Sequence, residues 1–357
     1  MRALDARGIA PLLIFSGQHP LLDPADHGLG GYAILRLACA GQDDPHAHVG
    51  AVSKAILEVL RAAPPELVIV QGDTSSALGG ALAAKFAAIP LAHVEAGLRS
   101  HDLRRPWPEE EFRVAIDGDA ELLFAPTELS AANLRRERVR GQIHVTGNSG
   151  IDAVIVARQE VATPVRDGGI PRLLVTCHRR ENWDDGLDGV AAALRAIASN
   201  GLARAEVILH PNPSLARRVR DMLSGQFNIA FRPPCGHSDT VSAMLGADLV
   251  LSDSGGIQEE ATALGIPLLV LRDKTERPEA IACGNIELVG TDPGRIVAAV
   301  RRRLDRCGAA APTLPFGDGR AGERIAAIIA EWLTERAEGV PTPSPMPSSW
   351  PRQLENW

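Results

Sequence analysis

The chain has 357 residues, a hydrophobic fraction of 45% and a formal net charge of −7. Its length predicts two domains, because a single hydrophobic core stops growing at about 250–300 residues. The negative charge and the lack of a basic tract argue against a nucleic-acid partner, and no apolar run reaches the ~18 residues of a membrane span.

Short β-rich apolar runs alternate with Ala- and Leu-rich helical stretches. In the first half of the chain, strands are predicted at 11–15, 67–71, 90–94, 122–125 and 142–146. In the second half, they are predicted at 172–177, 205–210, 228–232, 247–252, 266–271 and 286–289. Their apolar pattern is continuous rather than alternating, which is typical of buried parallel strands. The pattern predicts an α/β fold with two Rossmann-like, doubly wound parallel sheets that face a cleft.

The domain organisation follows from shifts in composition. We predict an N-terminal Rossmann-like domain over 1–152 and a C-terminal, nucleotide-binding Rossmann-like domain over 170–319. A Pro- and Gly-containing linker joins them. A helix over 320–338 is expected to pack back on the N-terminal domain, and the Pro- and Ser-rich segment 340–357 is expected to be a disordered tail.

Polar side chains follow several predicted strands at their carboxyl ends, where open α/β sheets bind ligands. They are Asp73, Glu95, His178, His210, Asp253 and Ser254. Each one alone is better explained as a helix cap or a satisfied core residue. Their common position predicts a functional site.

A strand-to-helix turn at Ser254-Gly255-Gly256 is the clearest ligand signal. Small residues let backbone N–H groups approach an anion, and the helix N-terminus carries partial positive charge, so phosphate or diphosphate fits there. Glu260, one turn into the helix, suits two sugar hydroxyls. The alternative is an ordinary strand-to-helix turn.

Three carboxylates, Asp73, Glu95 and Glu109, form a candidate acid–base cluster. Such a cluster offers a proton donor beside an acceptor. Asp73 has an alternative role as the cap of a helix beginning at Thr74. Glu109 has an alternative role as a solvated acid in the first helical turn after Pro108. Glu95 follows a buried run and precedes a glycine, so it is the hardest to explain structurally.

Two basic segments also follow strands. His178 with Arg179 and Arg180 could contact phosphoryl oxygens, or form a surface salt-bridge turn. Arg277 could hold a diphosphate beside the Ser-Gly-Gly turn, or belong to a charged, solvated helix start.

No bound metal and no cofactor are predicted. Five scattered cysteines contain no CxxC pair, which argues against zinc and against a disulfide framework and favours the cytoplasm. The GxGxxG match at 317–322 follows prolines rather than a strand, so the dinucleotide interpretation fails on context.

The chain resembles the non-hydrolysing UDP-N-acetylglucosamine 2-epimerases, which have the glycosyltransferase-B fold. The matching stretches occur in the family's order across roughly 17–325. They are QGDT (71–74), HVEAGLRS (93–100), PWPEEEFR (106–113), VTGNSGIDA (145–153), CHRREN (177–182), SDSGGIQEEA (252–261) and RDKTERPEA (272–280).

The resemblance implies interconversion of UDP-GlcNAc and UDP-ManNAc by elimination of UDP and its re-addition to 2-acetamidoglucal, without nicotinamide. It also implies a homodimer. Matched by motif, the acid–base residues would be Asp73, Glu95 and Glu109, with His178 at the nucleotide near the chemistry. The UDP-binding residues would be Ser254, Gly255 and Gly256 at the diphosphate, Glu260 at the ribose and Arg277 near the phosphates.

The chain departs from the family pattern at three places. Such proteins usually begin with a strand ending in Gly-Thr-Arg-Pro-Glu, and this chain is expected to begin after that segment. Cys235 and Thr240 stand where the family shows a glutamine and an aromatic residue beside the uracil, which leaves the nucleobase preference open. Phe112 replaces a usual polar residue.

Two alternative functions remain at this stage. The same fold could serve a UDP-sugar hydrolase or a glycosyltransferase, although a plain transferase needs less proton chemistry than three carboxylates supply. A truncated, non-catalytic paralogue that binds a nucleotide sugar is the other alternative.

Overall fold

The structure is a computed structural model that describes residues 1–18, 23–161, 169–177, 183, 185–305 and 311–339. It divides into two compact units. Unit 1 comprises Met1–Gly97, Glu111–Thr146 and the described residues from Gly322, and unit 2 comprises Leu98–Glu110 and Gly147–Ala321. The domain boundaries at 152 and 170 stay predictions. The predicted tail lies outside the described residues, and so do residues 162–168 of the predicted linker.

Strands and helices alternate through the described chain. The strands are β1 (Leu12–Phe15), β2 (Ala33–Arg36), β3 (Val68–Gln71), β4 (Leu91–Val94), β5 (Leu122–Ala125), β6 (Gln142–Val145), β7 (Arg172–Thr176), β8 (Arg204–Ile208), β9 (Ile229–Arg232), β10 (Leu249–Ser252), β11 (Leu268–Val270) and β12 (Ile286–Leu288). The helices are α1 (Arg2–Asp5), α2 (Pro45–Ala62), α3 (Ser75–Phe86), α4 (Glu109–Asp119), α5 (Glu128–Glu137), α6 (Ser149–Glu160), α7 (Asp185–Ser199), α8 (Pro213–Met222), α9 (His237–Gly246), α10 (Gly255–Leu264), α11 (Pro278–Ala282), α12 (Pro293–Leu304) and α13 (Ala321–Ala337).

Unit 2 contains one parallel sheet of six strands in the order β12-β11-β10-β7-β8-β9. If β7 to β12 are renumbered 1 to 6, the sheet read from β9 to β12 has the order 3-2-1-4-5-6. This is the strand order of a doubly wound nucleotide-binding fold. The strand order reverses between β7 and β10, so the loops after these two strands lie at the topological switch point, where such folds bind ligands.

Unit 1 contains two parallel sheets, a four-stranded sheet in the order β3-β4-β5-β6 and a separate pair, β1-β2. The predicted α/β class with parallel sheets is confirmed, and each of the eleven predicted strands is present. The prediction missed β2, because Ala33–Arg36 is short, only partly buried and ends in an arginine. It also expected one sheet in this unit, where the strands form two.

The cores explain the continuous apolar runs. In β4, β5 and β10 every residue is buried, so side chains on both faces of these strands pack against helices. In unit 1, Ile329 and Trp332 of α13 pack in one cluster with Ala92 of β4 and Phe124 of β5. Within the described part of the chain, no helix is both long and apolar enough to cross a bilayer.

Candidate functional site

Asp73 and Glu95 lie in unit 1, directly after the neighbouring strands β3 and β4. The helix that follows Asp73 is capped by Thr74, whose Oγ1 accepts from the N–H of Ala77 at 3.2 Å. The alternative role of Asp73 as the helix cap is therefore wrong. The hydrogen-bond partner of its carboxylate lies on α4 instead.

Arg113, on α4, is the residue that holds Asp73. Its guanidinium is 1% exposed and donates from Nη2 and Nε to Asp73 Oδ2, at 2.6 Å and 3.2 Å. A buried guanidinium that donates twice to one carboxyl oxygen fixes the orientation of that carboxyl group. The surroundings of Asp73 therefore include a cation as well as the neighbouring acids that the sequence indicates.

Glu95 has a left-handed backbone, with a φ of +75°. This conformation is costly for a residue with a side chain, and such strain concentrates at functional sites. The backbone is held there because the N–H groups of Glu95 and Ala96 both donate to the carbonyl of Phe124, at 3.1 Å. The Glu95 carboxylate lies over the Gly72 backbone, since a β-carbon built on Gly72 would be 3.5 Å from Glu95 Oε2.

The three acids at the start of α4 have different environments. Glu110 is buried, and its Oε1 accepts from the N–H groups of Ser100 and His101, both at 2.9 Å. Glu111 contacts His46 at 3.3 Å. Glu109 is partly exposed at the first residue of the helix. The first turn of α4 is therefore not uniformly solvated, and the role of Glu109 remains to be assigned.

In unit 2, the turn after β10 opens helix α10, as the sequence predicts. Ser254 caps α10, and its Oγ accepts from the N–H of Ile257 at 3.5 Å. Gly255 is buried and Gly256 is exposed. A side chain on Gly255 would collide with the guanidinium of Arg277, whereas one on Gly256 would find ordinary contact distances. The exposed backbone of Gly256 is therefore the place where a ligand could approach closely.

Arg277 lies against this turn, but within a buried ionic network. Its Nε donates to Glu259 at 2.5 Å, and a second nitrogen donates to Glu276. Arg272 donates to Glu276 at 2.9 Å, and Asn148 donates to Glu259 at 2.7 Å. Two guanidinium groups face two carboxylates, so this network has no net formal charge. It braces the Ser-Gly-Gly turn, and the alternative of a solvated helix start is wrong for Arg277.

Glu260 faces His237, the first residue of α9. The distance from His237 Nε2 to Glu260 Oε1 is 3.2 Å, and this hydrogen bond raises the pKa of His237 above the usual histidine value. Nearby, Cys235 Sγ and Thr240 Oγ1 are 3.5 Å apart. The segment 235–240 therefore brings together Cys235 and Thr240, which depart from the family pattern. It also places the titratable His237 next to Glu260.

His178 lies outside the described residues. Asp253 is fully buried and accepts from the thiol of Cys177 at 3.4 Å, and His210 Nδ1 accepts from the N–H of Asn212 at 2.9 Å. Sequence reasoning did not single out Arg113 or His237. The position of Arg113 four residues after Glu109, on the same face of α4, is a signal that could have found it. In the described ranges, no cluster of three or more His, Cys, Asp or Glu has the arrangement of a metal site.

Comparisons with known proteins place the chain in one family. The model of the UDP-N-acetylglucosamine 2-epimerase family matches residues 2–330. A UDP-N-acetylglucosamine 2-epimerase from Escherichia coli K12 is 40% identical over 292 residues, which is 77% of this chain and 78% of that protein.

Two solved structures are similar over nearly their whole length. The UDP-GlcNAc 2-epimerase of Methanocaldococcus jannaschii, in complex with UDP-GlcNAc and UDP, superposes with a TM-score of 0.84 at 33% identity, covering 92% of this chain and 94% of that one. The Neisseria meningitidis enzyme bound to UDP-GlcNAc gives 0.77 at 28% identity, covering 90% and 99%. From the family match and these similarities, we conclude that the chain belongs to the UDP-N-acetylglucosamine 2-epimerase family.

Proposed function

We propose that this protein interconverts UDP-GlcNAc and UDP-ManNAc by inverting C2 of the sugar. The observation that carries the proposal is Glu95, whose strained backbone places its carboxylate over the Gly72–Asp73 turn. Inversion at C2 requires removal of a carbon-bound proton and its return to the opposite face. Positioned carboxylates at the ends of adjacent strands are groups that can do this.

Glu95, Asp73 and Glu109 are proposed as the acid–base residues. Asp73 is held by the buried guanidinium of Arg113, which gives its carboxyl group a fixed orientation. Asp73 and Glu95 are proposed as the pair that removes the C2 proton and returns one to the opposite face. Glu109 is placed with them by its motif, and it is partly exposed.

In unit 2, the turn at Ser254, Gly255 and Gly256 is proposed to bind the diphosphate of UDP. The free N–H groups at the start of α10 and the helix dipole favour an anion there. Glu260 is proposed to accept from the ribose hydroxyls, and the contribution of Arg277 is to hold the turn in place. His178 is proposed, from its motif, to contact the nucleotide.

The proposed reaction has two steps. A base removes the C2 proton as the bond between C1 and the UDP oxygen breaks, which gives 2-acetamidoglucal and UDP. UDP then adds back to C1 while an acid delivers a proton to the other face of C2. UDP must stay bound between elimination and re-addition. Backbone N–H groups at a helix N-terminus can hold it there because they stabilise its negative charge.

The test is to incubate the purified protein with UDP-GlcNAc in D₂O and follow the sugar by proton NMR. We expect UDP-ManNAc that carries deuterium at C2. Free UDP with stoichiometric ManNAc would instead show a hydrolase, and UDP binding with no turnover would show a non-catalytic paralogue.

We also propose a homodimer and a cytoplasmic location. The family resemblance supports a homodimer, which sedimentation would test. The four cysteines in the described residues are free thiols, which supports the cytoplasm, where thiols are kept reduced.

A further inference from the structure

His93 and Asp117 form a buried pair in unit 1 that the proposed reaction does not use. His93 lies on β4 and Asp117 on α4, and the side chains of both are 0% exposed. His93 Nδ1 and Asp117 Oδ1 are 2.6 Å apart. A contact this short between a ring nitrogen and a carboxylate is a charge-assisted hydrogen bond.

The partners of the pair fix the hydrogen on one ring nitrogen and the acceptor role of one carboxyl oxygen. His93 Nε2 lies 2.9 Å from the carbonyl oxygen of Gly72, and a carbonyl can only accept, so Nε2 carries a hydrogen. Asp117 Oδ2 accepts from the N–H of Gly97 at 3.1 Å. The pair therefore joins β4, α4 and two turns through three hydrogen bonds.

Those two turns carry the proposed acid–base residues. Gly72 immediately precedes Asp73, and Gly97 comes two residues after Glu95. Gly72 also supports the Glu95 carboxylate, which lies over its backbone. A shift of the Gly72 carbonyl would therefore move Asp73 and the surface under Glu95 together.

We propose that His93, held by Asp117, is a positioning residue for Asp73 and Glu95, and that it acts through its hydrogen bond to the Gly72 carbonyl. This inference rests on the proposed function. Stability alone is a poor explanation, because a buried polar pair often contributes no more to folding than apolar side chains of similar volume. The effect expected here is on geometry, where a displacement of about 1 Å can cost roughly 100-fold in rate.

Two amide variants separate the two bonds of His93. In His93→Gln, the side-chain amide nitrogen can take the place of Nε2 and keep the bond to Gly72. In His93→Asn, the amide nitrogen can take the place of Nδ1 and keep the bond to Asp117 instead. His93→Gln removes the hydrogen bond to the buried Asp117, so we expect its Tm to fall at least as far as that of His93→Asn. A higher kcat in His93→Gln therefore cannot be explained by stability, and this makes each variant the control for the other.

We expect kcat for UDP-GlcNAc epimerisation to be at least roughly tenfold higher in His93→Gln than in His93→Asn, with KM in both within about threefold of the wild-type value. Equal kcat values, or losses that follow Tm, would show a purely structural pair and overturn the inference. If His93→Asn does not fold, the result for His93→Gln decides. A kcat within about 100-fold of the wild-type value, with the wild-type pH profile retained, supports the inference. A larger loss of kcat overturns it.

The wild-type assay separates the two proposals. An inactive wild-type protein would remove the proposed function and the positioning role with it. An active wild-type protein with indistinguishable amide variants would remove only the role of His93.

Discussion

Arg113 donates two hydrogen bonds to a single oxygen of Asp73 from a side chain that is 1% exposed. The two residues are 40 positions apart in sequence, on α4 and directly after β3. The contact gives Asp73 both its counter-charge and its orientation, so Asp73 depends on a residue that does not itself need to touch the substrate.

We expect Arg113→Lys to lower kcat by roughly 10- to 100-fold, because a lysine ammonium cannot reproduce the planar two-nitrogen contact. Steady-state kinetics with UDP-GlcNAc measures this. Arg135→Lys is the matched control, since the Arg135–Glu128 pair is exposed and should matter little. Equal activity of the two variants would contradict the role of Arg113.

Glu95→Gln should abolish the exchange of the C2 proton of UDP-GlcNAc with solvent while leaving Tm nearly unchanged. The amide keeps the size and the backbone of the glutamate but cannot accept the proton. Deuterium incorporation at C2, followed by NMR, is the measurement, and Glu128→Gln on the exposed face of α5 is the control. Exchange that persists in Glu95→Gln would remove Glu95 from the acid–base set.

The two glycines of the turn should respond differently to alanine. Gly255→Ala places a methyl group against the buried Arg277, so we expect a loss of about 1–3 kcal/mol in the free energy of unfolding. In Gly256→Ala the added methyl group has room in the free protein, so we expect an unchanged free energy of unfolding. UDP affinity should fall, because the backbone can no longer approach a phosphate closely.

Chemical denaturation and isothermal titration with UDP measure these two effects. Gly118→Ala, in α4 with open space around it, should leave UDP affinity unchanged and stabilise the helix slightly. Unchanged UDP affinity in Gly256→Ala would argue against diphosphate binding at this turn.

The His237–Glu260 pair predicts a pH-dependent contribution to stability. Its hydrogen bond to Glu260 raises the pKa of His237, so the folded state binds the proton more tightly than the unfolded state. The contribution is fully present below the unfolded pKa of about 6.5 and is lost as the pH rises through the folded pKa. Because the histidine is partly exposed, the contribution should be below about 1 kcal/mol.

The measurement is the difference in Tm between the wild-type protein and His237→Gln as a function of pH. We expect the wild-type advantage to be largest near pH 6 and to shrink above neutrality. A difference that stays constant from pH 6 to pH 9 would show that the pair is not an ion pair in the folded state.

Local sequence was enough to locate most strands and the turn that opens α10. Buried parallel strands are continuous apolar runs, so their positions could be read from local pattern. Ser254-Gly255-Gly256 predicted the start of a helix because a strand-to-helix turn depends on neighbouring residues, and the anion site there stays a prediction. Family motifs extended this to the residues proposed for the reaction.

Only the tertiary structure decided which side chains act on one another. The sequence of the first turn of α4 does not predict that Glu110 is buried while Glu109 is partly exposed. Which face of the helix is buried depends on how the helix packs in the fold. Nor does it pair Arg113 with Asp73, or His93 with Asp117 and Gly72, since these contacts join segments distant in sequence. The chemistry of the residues is local, but their charge state and orientation come from partners that only the fold brings together.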